Sequence, residues 1–284
     1  MHAREVSKEE VTGLAGEVPF VALPPEGGRA TAHVVVGWHL LDPPRTESAF
    51  ATAMPLAGLD AWRIYLGLPM TGSRIPAGGS DEFLRLGYED AVLNLYGPIS
   101  DTAVREFEPA FADIRDQLGI AEGPIGVMGG SLGAAIALRV IAESDVAVQA
   151  GVLVSPMIRL RSVVQTMEGQ YGVTYRWSAA SESVADRLDF VARANEISHP
   201  DGGTAILLAV GEDDDVPGFR QPALEFREAL AQRDDETARA EFVLVRGMSH
   251  ALAEEPGVAP APQTPHAAEL DRRAVDWFHR YLTS

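Results

Sequence analysis

Apolar residues in this chain fall into short continuous runs separated by longer amphipathic stretches. Val18 to Leu23, Ala32 to Gly37, Trp62 to Leu66, Ile125 to Met128, Val146 to Val154, Thr204 to Val210 and Glu241 to Val245 are all rich in Val, Ile, Leu or Ala and too short for independent helices. Several lack polar alternation, the pattern of strands covered on both faces. Between them, Val104, Phe107, Phe111, Ile114 and Leu118 recur at helical spacing in the segment Ala103 to Leu118, which predicts a helix laid on the sheet through one apolar stripe. Further helices are expected over Thr46 to Leu59, Phe83 to Leu95, Leu132 to about Glu143, Phe219 to Leu230 and His266 to Leu282. Alternating strands and helices imply an α/β protein with a mostly parallel central sheet and helices on both faces.

Two stretches interrupt the alternation. Residues 1 to 16 are polar and read as a loosely attached lead-in. Residues 157 to 203 contain no convincing central strand but carry an aromatic segment, Tyr171 to Trp177, and a helical pattern from Ser181 to Ile197. This segment is expected to be a small helical lid inserted into one domain spanning residues 1 to 284. The Pro- and Gly-rich loop Pro69 to Ser80 is a candidate pocket wall.

Chemistry enters at the strand ends. Gly129, Ser131 and Gly133 form G-x-S-x-G between an apolar run and an Ala-rich helix, the pattern of a nucleophile elbow, where glycines make room for a sharp turn that presents a serine. A serine nucleophile needs a base, an acid to orient that base and two donors for an oxyanion. His250, in the loop after the last strand, supplies the base. The acid lies in Asp213 to Asp215, after the strand that ends near Gly211; a turn opening at Gly211 favours Asp214, with Asp215 as the alternative. The backbone N–H groups of Leu132 and Trp38 are the candidate oxyanion donors. His39 is a candidate substrate contact, as are Tyr171, Tyr175 and Trp177, whereas His2, His33, His199, His266 and His279 read as surface or packed side chains.

Composition narrows the function classes. The 284 residues carry 23 Lys+Arg against 41 Asp+Glu, a formal net charge of -18, and lysine occurs once, at Lys8. A nucleic-acid partner is therefore not expected, because backbone recognition needs a basic surface. Cysteine is absent, which excludes disulfides, thiolate catalysis and Cys-held metals. Neither a membrane-spanning run nor a secretory signal is apparent, so the expected location is the cytoplasm. His250 lacks an H-x-x-x-H companion and the Asp triplet lacks calcium-loop spacing, so neither a metal nor another cofactor is expected.

With Gly129-Gly130-Ser131-Leu132-Gly133, the acidic turn Gly211 to Asp215 and the loop Gly247 to His250 in this order, the chain from about residue 18 to 284 resembles the α/β-hydrolase superfamily. Within it the chain is similar to bacterial serine hydrolases near the dienelactone hydrolases and prolyl-oligopeptidase-like esterases. The resemblance implies a triad of Ser131, Asp214 and His250 and cleavage of a small or medium carboxylic ester through an acyl-enzyme. Aminopeptidase-like amidase, thioesterase or lactonase chemistry would use the same residues, and a non-catalytic ligand-binding role on the same scaffold is the alternative of a different class. The partner implied is a small acyl substrate, with self-association into a homo-oligomer left open. Two features depart from the family pattern: Val36, not a histidine, precedes Gly37, and no cysteine is available for a dienelactone hydrolase in the narrow sense.

Overall fold

The computed structural model describes residues 9–25, 33–197, 203–232 and 239–283. Parts of the turn at Pro24 to Gly28, together with His2 and His199, lie outside the described residues. In chain order the elements are β1 (Val11–Ala15), β2 (Val18–Leu23), β3 (Val34–Trp38), α1 (Glu47–Ala53), β4 (Trp62–Leu66), α2 (Gly79–Ala91), α3 (Gly97–Leu118), β5 (Ile125–Gly130), α4 (Leu132–Glu143), β6 (Val148–Val154), α5 (Leu160–Tyr171), α6 (Ala179–Arg187), α7 (Ala194–Ile197), β7 (Ala205–Gly211), α8 (Gln221–Ala231), β8 (Ala240–Val245) and α9 (Pro265–Tyr281). Single π-helical turns at Val92–Tyr96 and Val216–Arg220 lead into α3 and α8.

The strands form one eight-stranded sheet in the order β1-β2-β4-β3-β5-β6-β7-β8. From β4 to β8 every pairing is parallel, while β1 and β2 join antiparallel. Residues 11 to 15 thus correct the expectation of a loose lead-in. They pair with β2 through a tight turn in which Gly16 has φ 56°, a conformation open to glycine without a Cβ penalty. The strand was hidden because its residues are only partly covered, with Leu14 61% exposed.

The α1 and α9 helices cover one face of the sheet, where Phe50, Trp277 and Phe278 pack with Val35, Tyr65 and Met128. On the other face α3, α4 and α8 bury Phe107, Phe111, Ile136 and Phe226 against Val36, Val127 and Leu208. Phe107 and Phe111 stack at 5.6 Å, and fully burying each such ring is worth about 1.5–3 kcal/mol. The α3 stripe therefore follows the sequence pattern, but the helix begins earlier than expected, at Gly97. Pro98 is no obstacle there, because a proline in the first helical turn has no intrahelical N–H bond to lose. Upstream, Asp90 has non-helical φ −166° and accepts from the Leu93 N–H at 2.9 Å, so its carboxylate ends one helix and starts the next turn.

Between β6 and β7 the sheet is interrupted by the helical insertion, built from α5, α6 and α7. The helical run anticipated from Ser181 to Ile197 is divided. Ser178 and Ser181 form a reciprocal capping box at the start of α6, and the chain turns at Leu188, whose N–H bonds the Val184 and Ala185 carbonyls.

Candidate active site

Ser131 sits between β5 and α4 with φ 48° and ψ −115°, a backbone conformation that costs a non-glycine residue of order 1–3 kcal/mol. The surroundings hold it there. Its N–H bonds the Val154 carbonyl at 3.0 Å, and its carbonyl accepts from Met157 at 3.2 Å. The flanking glycines are required by close approach. A Cβ on Gly129 would lie 2.2 Å from the Gly133 carbonyl oxygen, and one on Gly133 would lie 2.2 Å from the Trp38 oxygen. The elbow is thus packed directly on the turn that leaves β3.

His250 follows β8, and its Nδ1 lies 3.1 and 3.0 Å from the two Asp214 carboxylate oxygens. The loops that carry Asp214 and His250 are also joined through backbone. Asp213 N–H donates to the Met248 carbonyl at 2.9 Å, and a Cβ on Gly211 would fall 2.1 Å from that same oxygen. Asp214 is buried, and the Asp215 N–H donates to its Oδ1 at 2.8 Å. Asp215 faces elsewhere: its Oδ1 accepts from Gly218 N–H at 2.6 Å and from Thr166 Oγ1 of α5 at 2.7 Å. Of the three adjacent acids only Asp214 meets the imidazole.

The Phe219 ring packs on His250 with centroids 4.1 Å apart. Burial would depress the imidazole pKa, but the hydrogen bond and charge of Asp214, with the charges of Asp42 and Asp215, outweigh it and raise the pKa above its ordinary value. His250 Nε2 has no hydrogen-bond partner among the described residues, Ser131 included, and the Asp42 carboxylate lies 3.7 Å from it.

The turn from Trp38 to Pro43 connects the two halves of the site. A Cβ on Gly130 would collide with the Leu40 side chain at 2.3 Å, while two residues on Asp42 reaches His250 and the Pro43 carbonyl accepts from Leu252 N–H at 3.0 Å. Trp38 itself is the last residue of β3, paired with Leu66 and Gly129. Its indole, 1% exposed, meets Phe107 edge-on at 5.5 Å beneath the sheet. Leu132 opens α4, where the first N–H groups of a helix have no intrahelical acceptor.

His39 is fully buried, and its contacts are internal. Nδ1–H donates to the Leu40 carbonyl at 2.6 Å, and Nε2 accepts from Leu68 N–H at 3.3 Å, with Thr71 Oγ1, which donates to the Leu68 carbonyl at 2.8 Å, also 3.3 Å away. Burial lowers its pKa to about 4, with the Leu40 bond opposing. A neutral ring with both nitrogens engaged ties the turn to the 69–78 loop and has no face left for substrate, which corrects its assignment as a substrate contact. That loop is further pinned by Arg74, bidentate to Glu106 of α3 at 2.7 and 2.9 Å.

Tyr175 and Trp177 meet edge-on at 4.8 Å. The Tyr175 hydroxyl donates to Asp90 at 2.7 Å, and Arg161 lies over Trp177. These partners belong to α2 and the lid, so this pair forms a seam of the insertion. Tyr171 ends α5 and is 57% exposed. Sequence reading missed Asp42 and Tyr96. Tyr96 occupies the π-turn before α3, donates to Met167 Sδ at 3.6 Å, and is held protonated by burial, then by the charges of Asp42 and Tyr171. Among the described residues no group of three or more His, Asp or Glu is arranged to hold a metal ion, and no helix is long and apolar enough to cross a membrane.

No protein-family model and no curated protein matches the sequence. Solved structures do match over nearly the whole chain. TT1662 from Thermus thermophilus has a TM-score of 0.61 at 15% identity, covering 97% of this chain and 99% of that one. An esterase from Pyrococcus furiosus has a TM-score of 0.60 at 13% identity, covering 98% and 92%. A puromycin-hydrolyzing peptidase from Mycobacterium tuberculosis has a TM-score of 0.64 at 16% identity, covering 97% of this chain but 39% of the peptidase. The sheet order, the helices on both faces and the insertion after β6 give this chain the α/β-hydrolase fold.

Proposed function

We propose that the protein is a serine hydrolase of carboxylic esters, with Ser131 as nucleophile, His250 as general base and acid, and Asp214 as the group that orients the base. The observation that carries this reading is the Asp214–His250 contact, at 3.0 and 3.1 Å, on loops at the same sheet edge as a serine held at φ 48°. Asp214 fixes the proton of neutral His250 on Nδ1 and leaves the Nε2 lone pair for the Ser131 hydroxyl. As Ser131 Oγ bonds the acyl carbon, its proton moves to Nε2. The Leu132 N–H, backed by the α4 dipole, stabilises the oxyanion together with backbone of the turn that opens at Trp38. Collapse breaks the bond to the leaving group, which takes the proton from Nε2, and water then cleaves the acyl-enzyme by the same route.

A fluorophosphonate probe is expected to label Ser131 in the folded protein at neutral pH, and p-nitrophenyl esters of graded acyl length to be turned over. Absence of both would overturn the reading. Amide cleavage uses the same groups, and structures similar to this chain include an esterase and peptidases. Aminoacyl anilides run beside the esters measure how far the activity extends to amides.

A further inference from the structure

The proposed general acid has a carboxylate on its working side that the chemistry of acyl transfer does not require. Asp42 Oδ2 lies 3.7 Å from His250 Nε2, the nitrogen that must protonate the departing atom, and the Asp42 side chain is 54% exposed. Among the described residues, no arginine is ion-paired with it.

Geometry restricts what this carboxylate can meet. A leaving oxygen protonated by Nε2 lies within about 3 Å of that nitrogen. Groups carried two or three bonds beyond that oxygen can therefore come beside the Asp42 carboxylate. An exposed carboxylate there attracts a cation, whereas a leaving group bearing its own carboxylate is repelled. The formal net charge of -18 adds a long-range field of the same sign.

We propose that Asp42 is a specificity-determining residue that selects esters whose alcohol portion carries a cationic, ammonium-type group, an inference that rests on the serine-hydrolase reading. In the acylation step the Ser131 Oγ–acyl bond forms and the acyl–oxygen bond breaks, and the proton from Ser131 passes through Nε2 to the departing amino alcohol. Asp42 donates no proton and forms no bond to the acyl group. It lowers the energy of the bound leaving group through charge.

The test compares acetylcholine with 3,3-dimethylbutyl acetate, which has the same shape without the charge. Both are run with the wild-type chain and the Asp42→Asn variant at a pH where each rate has reached its plateau, so that any change in the protonation of His250 cancels in the ratio. The wild type is expected to prefer the cationic ester in kcat/KM by about 5- to 10-fold, the scale of one partly screened charge pair. Asp42→Asn is expected to remove that preference, and salt is expected to erode it in the wild type, where the Debye length is about 8 Å at 0.15 M. A ratio that is the same in wild type and variant, while both esters are cleaved, overturns the role of Asp42 and leaves the hydrolase reading intact. Failure to cleave either ester by a protein whose Ser131 is labelled by a fluorophosphonate and which turns over p-nitrophenyl esters overturns the role of Asp42 alone, whereas absence of both labelling and p-nitrophenyl ester turnover overturns both.

Discussion

Both carboxylate oxygens of Asp214 face Nδ1 of His250, at 3.1 and 3.0 Å, and the carboxylate is buried. This arrangement specifies the tautomer as well as the position of the ring. Asp214→Asn keeps the shape but presents an amide that favours the wrong tautomer. The expected result is a fall in ester kcat of about 10³- to 10⁴-fold with little change in thermal stability, read by steady-state kinetics beside a melting curve. A drop of less than tenfold would assign the acid elsewhere.

The pH profile follows from the charges around the base. In the proposed mechanism only neutral His250 accepts the Ser131 proton; its pKa is raised from 6.5 by Asp214, Asp42 and Asp215 against the opposing effect of burial. The acid limb of kcat/KM is therefore expected above pH 6.5, the ordinary imidazole value, and Asp42→Asn is expected to move it downward. The same shift makes the folded state hold this proton more tightly than the unfolded chain. Its stabilising contribution is complete below the unfolded pKa and is lost as pH rises through the folded one. Imidazole Cε1–H chemical shifts followed from pH 5 to 9 report the titration directly.

His39 has the opposite sign. Its pKa falls from 6.5 to about 4 on burial, so the unfolded chain binds a proton that the folded chain refuses. The contribution of the neutral ring is present above pH 6.5 and is lost as pH falls toward 4, on the order of 3 kcal/mol in all. Urea unfolding at pH 7.5 and pH 5 measures this loss. His39→Gln, which has no proton to gain, is expected to flatten that part of the profile; an unchanged pH dependence in the variant would rule out His39 as its source.

The elbow glycines tolerate no side chain. Gly129→Ala would place a methyl 2.2 Å from the Gly133 carbonyl oxygen, and Gly133→Ala would place one 2.2 Å from that of Trp38. Since the obstructing atoms are backbone, relief requires moving α4 or the turn after β3. Each variant is expected to lose about 3 kcal/mol or more, at the upper end of overpacking costs, and to lose fluorophosphonate labelling with it. Chemical denaturation and labelling on the same samples check the pair.

Much of this was legible before the structure because the informative residues are those whose chemistry is local. The runs at Trp62 to Leu66 and Ile125 to Met128 are covered on both faces, so hydrophobicity alone marked them as strands, and the Gly129-x-Ser131-x-Gly133 spacing reflects backbone crowding that any sequence reading can see. What escaped depends on direction in space. Trp38 and His39 stand at a strand end beside the elbow, yet one indole turns down to Phe107 and one imidazole turns inward to Leu68 and Thr71. Asp42 escaped for the converse reason: an ordinary loop acid gains meaning only from lying 3.7 Å from Nε2 of a histidine 208 residues later in the chain. The β1 strand was missed because an edge strand with an exposed Leu14 carries little hydrophobic signal.

Asp215 has a consequence that reaches across the molecule. One carboxylate oxygen both starts the Val216–Arg220 turn through Gly218 and holds Thr166 of α5, while two residues earlier Asp213 is bonded to Met248 beside the histidine. The loop that carries Asp214 is thus clamped at one end by the insertion and at the other by the segment bearing His250. The helical insertion and the Asp214–His250 pair are joined through one short loop, so a displacement of α5 reaches the imidazole through a lever only two residues long.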